Sequence, residues 1–130
     1  VTLKLVAQYG DAANVGGGDP EAVRHKLGVL RQHCDKLGRN YDDIIKSTSV
    51  QCFPLAKGDD PEKATAKARG RMSMKEFERF GAPQTVDEIA ARIEQNIEAG
   101  ADYFIIYIPG VAYAHEPLQR FAEEIIPRFS

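Results

Sequence analysis

The stretch Gly100-Ala101-Asp102-Tyr103-Phe104-Ile105-Ile106-Tyr107-Ile108-Pro109-Gly110 decides the fold class. Residues 103–108 are apolar at every position, as expected of a parallel strand buried on both faces. The run is far too short to span a bilayer, which takes about 20 apolar residues in a helix. Gly100 stops the helix before it, and Pro109-Gly110 ends the strand. The same phrase, a helix, then Gly, then one to a few polar residues, then a strand, occurs at Gln8-Tyr9-Gly10-Asp11-Ala12 and at Lys36-Leu37-Gly38-Arg39. Such alternation predicts right-handed βαβ units and a parallel sheet.

Working outward, the apolar periodicity places the other elements. Thr2 is positioned to cap a helix carrying Leu3, Leu5, Val6 and Tyr9, with Gly10 as a left-handed stop. Residues 11–15 read as a short strand and Gly16-Gly17-Gly18 as its loop. Asp19 is an N-cap and Pro20 suits the first helical position. Val23, Leu27, Leu30, Cys34 and Leu37 then share one helix face, and Gly38 ends it. Residues 44–53 read as a β-branched strand closed by Pro54. Residues 55–83 are less regular, a variable helical insertion. Asp60-Pro61 opens a basic helix with Ala64, Ala68 and Met72, and Phe77 and Phe80 are its expected apolar anchors. Thr85 and Glu88 form a capping box, and Ile89, Ile93 and Ile97 stack along the helix that follows. A last helix over 116–126 carries Leu118, Phe121, Ala122, Ile125 and Ile126.

The order α-β-α-β-α-α-β-α fits one α/β domain, residues 1–130. A (β/α)8 barrel takes roughly 250 residues, so this chain holds about three C-terminal βα units of a partial TIM barrel. It begins Val1-Thr2-Leu3 and enters a helix at once, and we expect a piece of something longer. A net charge of -2 gives no reason to expect nucleic acid or an anionic membrane as partner. Cys34 and Cys52 have no metal-type spacing and read as reduced, structural thiols of a cytoplasmic protein.

In parallel sheets, ligands gather at the carboxyl ends of the strands. Here those ends are residues 14–18, 51–54 and 107–110. Gly16-Gly17-Gly18, ahead of a helix N-terminus, reads either as an anion-binding turn or as a plain flexible loop. Thr2 is either a second anion site or a mere N-cap. His25 and His33 lie beside an apolar stripe and read as surface or partly packed residues; His115 is a loop histidine or a general acid–base. The basic run Lys63, Lys67, Arg69, Arg71 reads as a solvated face, and Cys52 as core rather than nucleophile. No metal site or catalytic pair can be argued.

In order and spacing, four phrases resemble the luciferase-like monooxygenase family, especially its coenzyme F420-using branch. They are Thr2-Leu3-Lys4-Leu5-Val6-Ala7-Gln8-Tyr9-Gly10-Asp11-Ala12-Ala13-Asn14-Val15, Asp19-Pro20-Glu21-Ala22-Val23-Arg24-His25-Lys26-Leu27 through Gly38-Arg39, Gly81-Ala82-Pro83-Gln84-Thr85-Val86-Asp87-Glu88-Ile89 through Phe104, and Phe121-Ala122-Glu123-Glu124-Ile125-Ile126-Pro127. The resemblance implies an oxidoreductase using reduced flavin (FMN) or coenzyme F420 in the intact protein, acting on a small organic substrate by hydride transfer or oxygenation. It further implies that Thr2 contacts the cofactor phosphate and that Asn14, Val15 and Gly16 border the cofactor. Ala82 replaces a frequent Thr or Ser of the family phrase. The family's catalytic residues come from earlier strands, so the isolated chain is expected to be inactive and to need a partner, a second copy or the rest of its barrel. Two readings stand beside this: a non-catalytic binding or assembly module built on a partial barrel, and another phosphate-binding half-barrel enzyme.

Overall fold

A computed structural model describes the backbone of residues 1–130 and every side chain except that of Phe80. The architecture is mixed α/β with parallel strands, in two compact units: Val1–Val50 with Ile93–Ile105, and Gln51–Arg92 with Ile106–Ser130. None of the described helices is long and apolar enough to cross a membrane.

In the first unit, α1 (Thr2–Tyr9) leads to β1 (Ala12–Asn14), α2 (Pro20–Leu37), all but the last residue of β2 (Ile45–Gln51) and, later in the chain, the first three residues of β5 (Tyr103–Tyr107). The sheet order is β1-β2-β5, so β2 is central. β1 and β2 run parallel, with Ala12 opposite Ile45, Ala13 opposite Lys46 and Asn14 opposite Ser47. The core joins Ala7, Val15, Val23, Leu27, Leu30, Cys34 and Ile44. That is the predicted stripe of α2, except that Leu37 is exposed. Asp19 caps α2 by accepting the Glu21 amide at 3.3 Å, and Gly38 closes it in the left-handed region at φ 68.

Four expectations about the first unit are corrected. Thr2 is not the cap of α1: Val1 is, with no side-chain bond, because the first helical bond already runs from the Leu5 amide to the Val1 carbonyl. Inside the first turn, Thr2 lacks the extended backbone a cap needs. Gly10 is extended (φ -87, ψ 144), not left-handed. It is glycine for space, since a Cβ there would lie 3.0 Å from both Val6 Cγ1 and the Val6 carbonyl. Ile97 is 45% exposed, and Asn96 takes its place on the buried face. Last, β5 is not buried on both faces: it is an edge strand, and Tyr103 and Tyr107 are 55% and 53% exposed.

The second unit contains β3 (Phe53–Leu55), α3 (Pro61–Arg69), α4 (Met74–Gly81), β4 (Pro83–Thr85), the start of α5 (Val86–Glu98) and α6 (Glu116–Arg120). Pro54 does not close the preceding strand; it sits inside β3, which pairs parallel with β4. A two-stranded ribbon leaves edges where a residue without an amide donor is tolerated. α3 starts as expected, with the Asp60 carboxylate accepting the Glu62 amide. α4 is separate from it, opened by a Ser73–Glu76 capping box. Phe77 is buried and meets Phe53 edge-on at 5.6 Å, while the Phe80 side chain lies outside the described residues. Thr85 accepts the Glu88 amide as predicted. The last helix covers the expected span but changes its winding: α6 passes into a π-helical turn over Phe121–Ile125 and a 3-10 turn over Ile126–Phe129. Phe121 and Ile125 are buried, while Leu118 and Ile126 are about half exposed.

Candidate functional site

The loop after β1 is built by its neighbours rather than left free. Val15 extends the ladder by donating its amide to the Ser47 carbonyl, and it is buried. The Asn14 carboxamide donates to Ser49 Oγ at 3.3 Å and accepts the Gly16 amide at 3.4 Å. The Gly16 carbonyl accepts both the Thr48 hydroxyl and the Ser49 amide at 2.9 Å. The Gly18 amide donates to Thr48 Oγ1 at 3.2 Å, and Asn96 Nδ2 donates to the Gly18 carbonyl at 3.0 Å. Gly16 and Gly18 have φ of 128 and 78, and a Cβ on Gly18 would lie 2.9 Å from the Ser49 carbonyl. Only glycine satisfies both demands at position 18.

The loop is therefore not a plain flexible one. Nor is it a free anion cradle, since two of its three glycine amides are already bonded within the chain. It presents bare backbone at Gly17, where an added Cβ would meet nothing within 4 Å. The Lys26 ammonium lies beside it, 3.2 Å from where a Cβ on Gly16 would stand. The structure thus brings Asn14, Val15 and Gly16 together. Thr2 is exposed on the first turn of α1, its hydroxyl makes no cap bond, and no hydrogen bond joins it to the loop.

Thr48, Ser49 and Asn96 were missed as site builders. Their signal was present: Ser47-Thr48-Ser49 is a hydroxyl run inside a strand that must be buried, and Asn96 interrupts an apolar helix face. Buried hydroxyls and amides need partners, and here the partner is the glycine loop.

The remaining candidates carry no chemistry of their own. Cys52 is fully buried, and burial pushes its thiol up to about 11, away from nucleophilic use. His25 is exposed and His33 half-buried, both on α2. His115 is exposed and precedes α6 without a side-chain cap bond. No group of three or more His, Cys, Asp or Glu among the described residues is arranged to hold a metal. Lys63 and Lys67 are exposed as expected and line, with Phe53, Pro117 and Arg120, a cavity of about 490 Å³.

No family model matches the chain, and no curated protein matches it by sequence. Solved structures do match. The coenzyme F420-dependent tetrahydromethanopterin reductase from Methanopyrus kandleri superposes with a TM-score of 0.71 at 14% identity. It is matched over 98% of this chain and 48% of its own. The chain shares the fold of part of that reductase. Long-chain alkane monooxygenase LadA gives a TM-score of 0.65 at 17% identity, covering 98% of this chain and 38% of its own. Monooxygenase RslO1 from Streptomyces bottropensis gives 0.64 at 19%, covering 98% and 45%. The luciferase-like resemblance carried by the four sequence phrases is borne out in the fold. This chain spans less than half the length of each of these structures.

Proposed function

We propose that the chain is the C-terminal part of a luciferase-like (β/α)8 barrel, about three βα units, whose intact form uses FMN or coenzyme F420 to oxidise or reduce a small organic substrate. One observation carries the reading: 98% of the chain superposes on part of such an enzyme, with β1, β2 and β5 side by side in one sheet. The residues at the end of β1 fit a wall of the cofactor site. The stretch Gly16-Gly17-Gly18 offers backbone without side chains, which lets a flat ring approach closely, and the Asn14–Thr48–Ser49 network fixes its shape. Lys26 supplies positive charge next to it. Thr2 has a hydroxyl free of any cap bond at a helix N-terminus, where a phosphate is favoured.

The cofactor, when bound, supplies the hydride or oxygen chemistry. The described residues of this chain bind, orient and exclude water. Catalytic side chains are assigned to the earlier strands of the barrel. The test is fluorescence titration of FMN and of F420 into the protein carrying its upstream strands, as wild type and as Thr2→Val. Loss of the Thr2 hydrogen bond should weaken binding by about 1–3 kcal/mol. Equal affinities would remove Thr2 from the site, and no binding of either cofactor would refute the reading.

A further inference from the structure

A second cavity, of about 350 Å³, lies in the first unit at the beginning of β2 and the approach to β5. It is set back from the glycine loop by two to three residues along β2, on the order of 10 Å. Three cations line it: Arg24 and Arg31 from α2, seven residues apart on one face, and Lys46 from β2. Lys46 is buried at 6% exposure, and its ammonium lies 4.6 Å from the centre of the Tyr41 ring. The Arg31 guanidinium lies over the same ring at 4.5 Å. Both charges are thus held in place by one aromatic. Gly28 stands between the two arginines on α2, and a Cβ there would meet nothing within 4 Å.

The charge balance of this cavity is uneven. Asp102 is committed to Lys46, accepting its backbone amide at 2.8 Å and its ammonium at 3.5 Å. Asp42 is the other carboxylate in the wall. Neither Arg24 nor Arg31 has a hydrogen bond or ion pair with any described residue. Burial raises the Tyr41 hydroxyl above its ordinary pKa, and the Arg31 charge offsets only part of this, so the hydroxyl remains a donor.

We infer that this cavity binds the phosphate group of a phosphorylated small molecule, held by Arg24, Arg31 and the Tyr41 hydroxyl, with Lys46 beneath. A phosphate suits it better than a carboxylate, because two guanidinium forks and a hydroxyl can engage three oxygens and answer a double charge. The cavity lies at the amino ends of the strands, away from the carboxyl ends where the cofactor is proposed, so the inference does not rest on that proposal.

The probe is inorganic phosphate, titrated by calorimetry into the 130-residue chain and compared with chloride at equal ionic strength. Wild type should bind phosphate saturably. Arg24→Gln and Arg31→Gln should each weaken binding about tenfold or more, equivalent to about 1.4 kcal/mol. Both side chains are exposed, so both variants should fold. Lys63→Gln, in the other unit, should bind as wild type. No saturable binding by the wild type, or binding unchanged in both arginine variants, would overturn the inference.

Discussion

The Thr48 hydroxyl donates to the Gly16 carbonyl at 2.9 Å and accepts the Gly18 amide at 3.2 Å, in a residue with no exposed surface. Valine has the same shape and strand preference but no hydroxyl. Thr48→Val should therefore leave a buried amide unpartnered and cost about 1–3 kcal/mol, read as a lower urea midpoint at unchanged slope. Cys52 gives a pH-dependent counterpart. Its thiol is pushed up to about 11 by burial, with Arg92 opposing in part. The folded state therefore keeps the proton that the unfolded chain releases near pH 9. Its contribution is fully present below about pH 9 and is lost as pH rises towards 11. Wild type should lose stability across that window faster than Cys52→Ala, and Cys52 should react with a thiol reagent only on unfolding. Rapid labelling of the native chain would contradict this.

At the scale of elements, α2 was readable because each signal agreed: the Asp19 cap, Pro20, an apolar stripe and Gly38. Its one weak position is Gly28, mid-helix with open space at the missing Cβ. Gly28→Ala should raise stability by about 0.5–1 kcal/mol, seen as a higher melting temperature by circular dichroism; no gain would mean that the open space is not real. The β3–β4 ribbon was not readable. Its strands have three residues each and two contain proline, so neither periodicity nor composition marks them. Pairing between residues thirty apart does. β5 was legible as a strand from six apolar residues in a row, but its burial was not. Sequence states what an element needs covered, not whether the cover lies in the same chain. The glycine loop was likewise placed correctly from its position between β1 and α2, while its rigidity came from Thr48, Ser49 and Asn96, distant in sequence.

For the whole molecule, the exposed apolar residues have a common explanation. Tyr103 and Tyr107 are each about half exposed on β5, an outer strand of the three-stranded sheet with no further neighbour among the described residues. The solved structures of this fold run to more than twice this length. Leaving such side chains in water costs roughly 1.5–3 kcal/mol for each one that burial would otherwise cover. An open strand edge also invites pairing. The proposed partial barrel predicts that the isolated chain shows no turnover with reduced FMN or reduced F420; substrate oxidation by the purified chain would refute that. The proposal that this sheet is one part of a larger barrel is tested by sedimentation equilibrium of the 130-residue chain across micromolar concentrations. A partial barrel should self-associate, and the association should end when the upstream strands are supplied. A well-folded monomer, unfolding cooperatively and independently of concentration, would contradict it.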